Sequence, residues 1–209
     1  VCEQLQKYFP NLNAAARYYY KKEKYKEAMP YLRTCLDLPH TELGQSAHLS
    51  TRGDEQNAIF YLISAFCIKQ YGEVTRYDSL ALSPVATRPT IMKYLSLTAE
   101  AETDTTTYHR QLCEGWKAYP HDAFFFTRLA DFYNRNKSFN QTLLLSAQQL
   151  KMDSTYTAAY MAQCVAHYEL QQYDSCIVSA QHTLACDSTY AEAHYYIGAS
   201  YVNKVKLIN

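Results

Sequence analysis

The tetrapeptide Asp153-Ser154-Thr155-Tyr156 occurs again as Asp187-Ser188-Thr189-Tyr190, 34 residues on. A fixed period of that length means an array of helical hairpins, because one hairpin alone cannot bury its apolar face and must stack on its neighbours. Frames stepped by 34 start at residues 55, 89, 123, 157 and 191. Their twenty-eighth place holds Leu82, Trp116, Leu150 and Leu184, and their seventeenth holds Tyr71, Thr105, Phe139 and Tyr173. The eighth place takes small or medium residues: Leu62, Ser96, Ala130, Cys164 and Gly198. The eleventh is Ala65, Ala99, Tyr133 and Tyr201, with His167 the exception. Within each frame apolar residues recur at helical spacing rather than by twos.

The start of the chain fits the same pattern out of step. Ala15, Ala16, Tyr19, Tyr25, Ala28 and Leu36 match a unit that begins at Phe9, which leaves 12 extra residues before the frame at 55. That excess falls in residues 41–54, around Gly44 and Gly53, and reads as a loop or as extensions of the flanking helices. The pattern predicts helix pairs over about 11–22 and 24–38, 55–69 and 71–82, 89–101 and 104–118, 122–135 and 138–151, and 156–169 and 172–185. A last helix is predicted over about 190–205, and residues 1–9 read as the end of a preceding helix. Pro30 falls inside the second of these helices and should bend it.

Tyr160, Cys164, Tyr173 and Cys176 in one unit, with Pro120 near the end of another, resemble the tetratricopeptide repeat (TPR), a 34-residue helix-turn-helix. The resemblance runs along essentially the whole chain. It implies an all-α fold, a right-handed α-solenoid of antiparallel helix pairs forming a TPR-like superhelix. The chain then reads as one helical-repeat domain over residues 1–209, with units at about 9–40, 55–88, 89–122, 123–156 and 157–190, a partial unit at 191–209 and an insertion at 41–54. That domain reads as a fragment of a longer chain.

Charge and motifs exclude several classes. Lys+Arg and Asp+Glu are both 20, so no global field draws in nucleic acid. Lys21, Lys22, Lys24 and Lys26 lie beside tyrosines, but Glu23 and Glu27 interrupt them. No apolar run approaches the roughly 18 residues of a membrane span. The five glycines never fall in nucleotide-loop spacing, and no G-x-S-x-G elbow occurs. His109 and Cys113, Cys164 and His167, and His182 and Cys186 pair at helical spacing, but they lie in different units, and a structural metal needs about four converging ligands. No third group orients any of these pairs for nucleophilic work. Glu100, Glu102 and Asp104 read as solvated, capping carboxylates. The expectation is therefore no catalytic residue, no cofactor and no metal. Seven cysteines without a C-x-x-C read as free, mostly buried thiols of a reducing compartment, with a periplasmic or secreted location still open. The 21 tyrosines read as packing between helices. Arg52-Gly53-Asp54, an integrin-type tripeptide, reads as chance.

In the resembling family the first helices of the units line a concave groove that holds a partner peptide or helix. Carried onto this chain, those places are Asn13, Arg17, Tyr20 and Lys21 in the first unit and Ile59, Ile63 and Phe66 in the second. The third supplies Lys93, Leu97 and Glu100, and the fourth Thr127, Asp131, Asn134 and Arg135. The fifth supplies Met161, Val165, Tyr168 and Glu169, and the sixth Tyr195 and Ala199. Ile59, Ile63 and Phe66 are either an open apolar station or are covered by the 41–54 segment. The groove reading implies a protein or peptide partner; the alternative is a structural or self-assembly module that acts through its ends or convex face. Val202, Val205, Leu207 and Ile208 lie on a final helix that lacks its second half-unit, so a homodimer or a further unit should cover that face.

Overall fold

Five residues in left-handed backbone set the architecture in the computed structural model, which describes residues 1–208 and side chains to residue 206. They are Glu23, Lys69, Thr103, Lys137 and Gln171, with φ between 56° and 60°. From Lys69 onward they recur every 34 residues, and 46 residues separate Glu23 from Lys69. Each ends a helix in the same way. The N–H of the left-handed residue bonds the carbonyl three residues back, as Lys137 does to Asn134 at 3.0 Å, and the next N–H bonds five back, as Ser138 does to Tyr133 at 2.8 Å. This double closure is a Schellman turn, here made without glycine. An L side chain at such a φ costs about 1–2 kcal/mol, which the two bonds and the packing beyond them offset.

The turns separate helices close to those the periodicity predicts. The chain runs α1 (Cys2–Lys21), α2 (Tyr25–Asp37), a 3-10 turn (Leu38–His40), α3 (Glu42–Ser46) and α4 (Asp54–Cys67). Next come α5 (Tyr71–Val74), α6 (Asp78–Ala81), α7 (Arg88–Ala101) and α8 (Thr105–Ala118). The remainder is α9 (Ala123–Arg135), α10 (Phe139–Met152), α11 (Thr157–Glu169), α12 (Tyr173–Cys186) and α13 (Ala191–Ile208). The described residues form no strand, and no helix among them is long and apolar enough to cross a membrane. The chain folds as two compact units, Val1–Gly115 and Trp116–Asn209.

In the first unit α1 packs on α2, α2 on α4, and α4 on α5, α6 and α7. Its core holds Ala16, Leu32, Leu62, Ala65, Val74 and Ile91, each with at most 1% of its surface exposed. Burying a side chain the size of leucine contributes about 1.5–3 kcal/mol. In the second unit each helix packs on the next, and α11 also packs on α9 and α13, two elements away on either side. That alternation is how stacked hairpins pack. Cys164 and Cys176 face each other there, with sulfurs 3.5 Å apart, and Ser200 donates to Cys176 at 3.2 Å. The hydrogen bond to Cys176, together with burial, holds the Cys164 thiol well above its ordinary range.

Three expectations need correction. Residues 2–9 are not the end of a separate helix; they are the first turns of α1, which runs through Pro10. Pro30 lies inside α2, as expected, on its exposed face, and the helix continues past it to Asp37. The predicted helix over 71–82 is two short pieces. Tyr77 turns inward between them, donates to Asp37 at 2.5 Å and meets Tyr61 edge-on at 4.9 Å. Finally, only Cys35, Cys164 and Cys176 of the seven free thiols are buried, so most of them are not.

The 41–54 segment is folded rather than looping free. Thr41 caps α3 by accepting from the Gly44 N–H at 3.1 Å, and α3 packs on the 3-10 turn and on α1. Gly53, with φ 97°, starts α4, and the Asp54 carboxylate is buried 3.5 Å from His40. Arg52-Gly53-Asp54 is thus a helix start.

The repeated tetrapeptide is a repeated turn. The Asp153 carboxylate accepts from the Thr155 N–H at 2.9 Å and hydroxyl at 2.7 Å, and Asp187 accepts from Thr189 at 3.0 and 2.7 Å. The threonine hydroxyl, then its N–H, hold both carboxyls below the usual range. Such groups stabilise the folded chain above the unfolded carboxylate value near pH 4 and cease to do so as pH falls through their depressed folded values. Buried Asp54 is shifted upward, so its contribution has the opposite sign and falls as pH rises. Thermal melts should therefore show the unfolding midpoint dropping below about pH 4. The Asp153→Asn/Asp187→Asn double variant should drop less. An identical decline in both proteins would dismiss these two turns as the source.

Candidate interaction groove

Place twelve of the repeat carries an aromatic residue in three units, and each is enclosed in the same way. Tyr20 meets Tyr25 edge-on at 5.7 Å and stacks on Phe60 at 3.9 Å. Phe66 meets Tyr71 at 5.9 Å and Tyr94 at 5.0 Å. Tyr168 meets Tyr173 at 5.7 Å and Tyr196 at 5.1 Å. Each triad joins place twelve to place seventeen of its own hairpin and place six of the next, at separations where aromatic pairs add about 0.5–1.5 kcal/mol beyond burial. Burial, then Tyr25, pushes the Tyr20 hydroxyl up to about 12. Much of the tyrosine excess is therefore hairpin-to-hairpin mortar. Tyr20, Phe66 and Tyr168, expected from the sequence to line the groove, are half-buried members of these triads.

Polar residues replace the aromatic at this place in two frames, as Glu100 and Asn134. Around Asn134, within the second unit, a groove of about 180 Å³ opens between α9, α11 and the start of α13. Thr127, Asp131 and Asn134 form one wall; Met161 and Val165 face them, all five expected from the repeat. Ala158, Ala162, Tyr190 and Glu192 also line it, and the sequence reading missed them. Ala158 and Glu192 are 34 residues apart at place two, so the same stepping would have found both. Thr127 donates to the Ala123 carbonyl at 2.7 Å, and Asn134 accepts from Thr142 at 2.7 Å. Asp131 and Glu192 are exposed and, among the described residues, neither is in an ion pair or a side-chain hydrogen bond.

The other expected groove residues are distributed as follows. Asn13 accepts from Asn57 at 2.8 Å and ties α1 to α4. Arg17, Lys21 and Arg135 are exposed; Lys93 and Leu97 are half-buried. Ile59 is 6% exposed, and Ile63 is half-buried against the first unit's core. Tyr168 accepts from Asn203 at 2.9 Å, and Tyr195 is 65% exposed. A larger cleft of about 620 Å³ in the first unit lies where α6 ends, lined by Leu82, Arg88, Met92, Arg110 and Glu114 among others. Arg88 donates there to the Leu82 and Ser83 carbonyls, Arg110 pairs with Glu114, and Asp78 accepts from the Ser79 N–H.

Solved structures of similar fold exist. A double mutant of MamA RS-1 superposes with a TM-score of 0.56 at 13% identity, covering 72% of this chain and 84% of its own. The fold is TPR-like. This TPR-like chain also matches MamA 41-end from Desulfovibrio magneticus RS-1, with a TM-score of 0.50 at 16% identity over 73% of this chain and 77% of that one. MamA MSR-1 C2 gives 0.54 at 13% identity over 88% and 97%. No family model and no curated protein matches the sequence.

Proposed function

We propose that this chain is a non-enzymatic interaction scaffold, one array of TPR-like units whose groove holds a peptide or helix of a partner protein. The observation that carries this reading is the groove beside Asn134. Equivalent places of successive hairpins converge on it, and they include exposed Thr127 and Asp131, which core packing does not require. Apolar and polar residues left over after the fold has used its own are the usual mark of a binding surface.

A second reading, self-assembly, is supported by α13. Tyr195, Val202 and Val205 form an exposed stripe at helical spacing, with Tyr201 beside it; each is at least 54% exposed. Leu207 and Ile208, expected on the same face, lie outside the described side chains.

One panel of variants separates the two readings. Peptides selected from a random library against the intact chain should lose at least about tenfold in affinity, about 1.4 kcal/mol, to Ala158→Phe, which fills the groove, with helicity unchanged. Val202→Lys/Val205→Lys should leave them bound. If instead only the α13 variant has an effect, shifting the chain from dimer to monomer in sedimentation, the groove reading fails and self-assembly stands.

A further inference from the structure

The groove beside Asn134 is small and charged with one sign. Its volume, about 180 Å³, lies well below the roughly 300–1,000 Å³ of small-molecule sites. It suits one long side chain rather than a cofactor. Ala158, Met161, Ala162 and Val165 make an apolar floor, and Asp131 and Glu192 stand on its rim. No lysine, arginine or histidine lines it. Of the neutral polar groups in the lining, the Thr127 hydroxyl donates to the Ala123 carbonyl and the Asn134 oxygen accepts from Thr142. The two carboxylates are the charged groups that the lining offers a ligand.

From this arrangement, and building on the groove reading above, we infer that the groove takes a lysine or arginine side chain from an extended segment of a partner protein. The methylene stem lies along the alanines, Met161 and Val165, as long basic side chains do on apolar surfaces. The cationic head reaches Asp131 and Glu192 at the rim. Lysine satisfies both carboxylates with a compact ammonium, and arginine does so with its planar fork. An acidic or carboxylate-ended peptide is rejected, because it would bring like charge to the rim with no cation to meet it. Tyr190, which lies in the same lining, senses this field, since Glu192 adds to burial in raising its hydroxyl.

The test uses the intact chain and a random peptide library. Selected peptides should share one lysine or arginine. Replacing it with glutamine should weaken binding about tenfold, and the isosteric Asp131→Asn/Glu192→Gln variant should do the same. Raising the salt should weaken the wild-type complex and leave the variant's nearly unchanged. Peptides that depend on the groove through Ala158→Phe but show no basic preference would overturn the cationic inference and leave the groove reading intact. Peptides indifferent to Ala158→Phe, or no selected peptide at all, would overturn both. Both rim substitutions are on exposed positions, so retained helicity is expected and is checked by circular dichroism.

Discussion

Replacing Gln149 with leucine should lower the stability of the second compact unit by about 2–3 kcal/mol. Gln149 is fully buried in α10 and closes a small network. Its amide oxygen accepts from the Trp116 indole at 2.7 Å, and its amide nitrogen donates to the Pro120 carbonyl at 2.9 Å. Leucine nearly preserves the volume but strands a donor and an acceptor. Both partners are only half-buried, so water recovers part of the loss, which keeps the figure below the full cost of two orphaned groups. The measurement is chemical denaturation followed by circular dichroism, because the accompanying Trp116→Phe variant lacks the single tryptophan. A double-mutant cycle with Trp116→Phe isolates the cause: with the indole N–H gone, Gln149→Leu should cost about 1 kcal/mol less. Strict additivity would mean that packing, not the hydrogen bond, is responsible.

Gly44→Ala should destabilise the first unit by about 2–3 kcal/mol, the upper range for overpacking. A Cβ at residue 44 would stand 1.9 Å from the Leu38 carbonyl oxygen and 2.9 Å from the Pro39 Cα. These are backbone atoms, so no side chain can swing aside, and the turn from Leu38 to Ser46 must open. Hydrogen exchange should rise across residues 38–54, while the tryptophan-monitored transition of the second unit stays in place. A loss under about 0.5 kcal/mol, the range of an ordinary surface substitution, would show that this close approach does not exist in solution.

The helices were legible because local periodicity dictates them. Leu82, Trp116, Leu150 and Leu184 mark the register in letters alone, and the left-handed residues fall in step with it. What was not legible depends on distant partners. Nothing local to 71–82 announces that Tyr77 will turn in to reach Asp37, 40 residues earlier. Nothing near Gly44 shows that α3 will close onto Leu38. The triads escaped notice for a related reason. By register alone Tyr20, Phe66 and Tyr168 face a ligand, whereas each is held by a ring from its own hairpin and one from the next. The groove was half visible. Thr127, Asp131, Asn134, Met161 and Val165 came from the repeat, while Glu192 and Ala158 required the same step at one more place.

The left-handed joints carry one more implication. Glu, Lys, Thr, Lys and Gln all occupy the same backbone state and close the same pair of bonds. A joint indifferent to its side chain does not have to be reinvented when the chain is lengthened. Copying one 34-residue segment copies a working bend along with it, so such an array can grow or shorten by whole hairpins, and the choice of residues on its faces is left free for other uses.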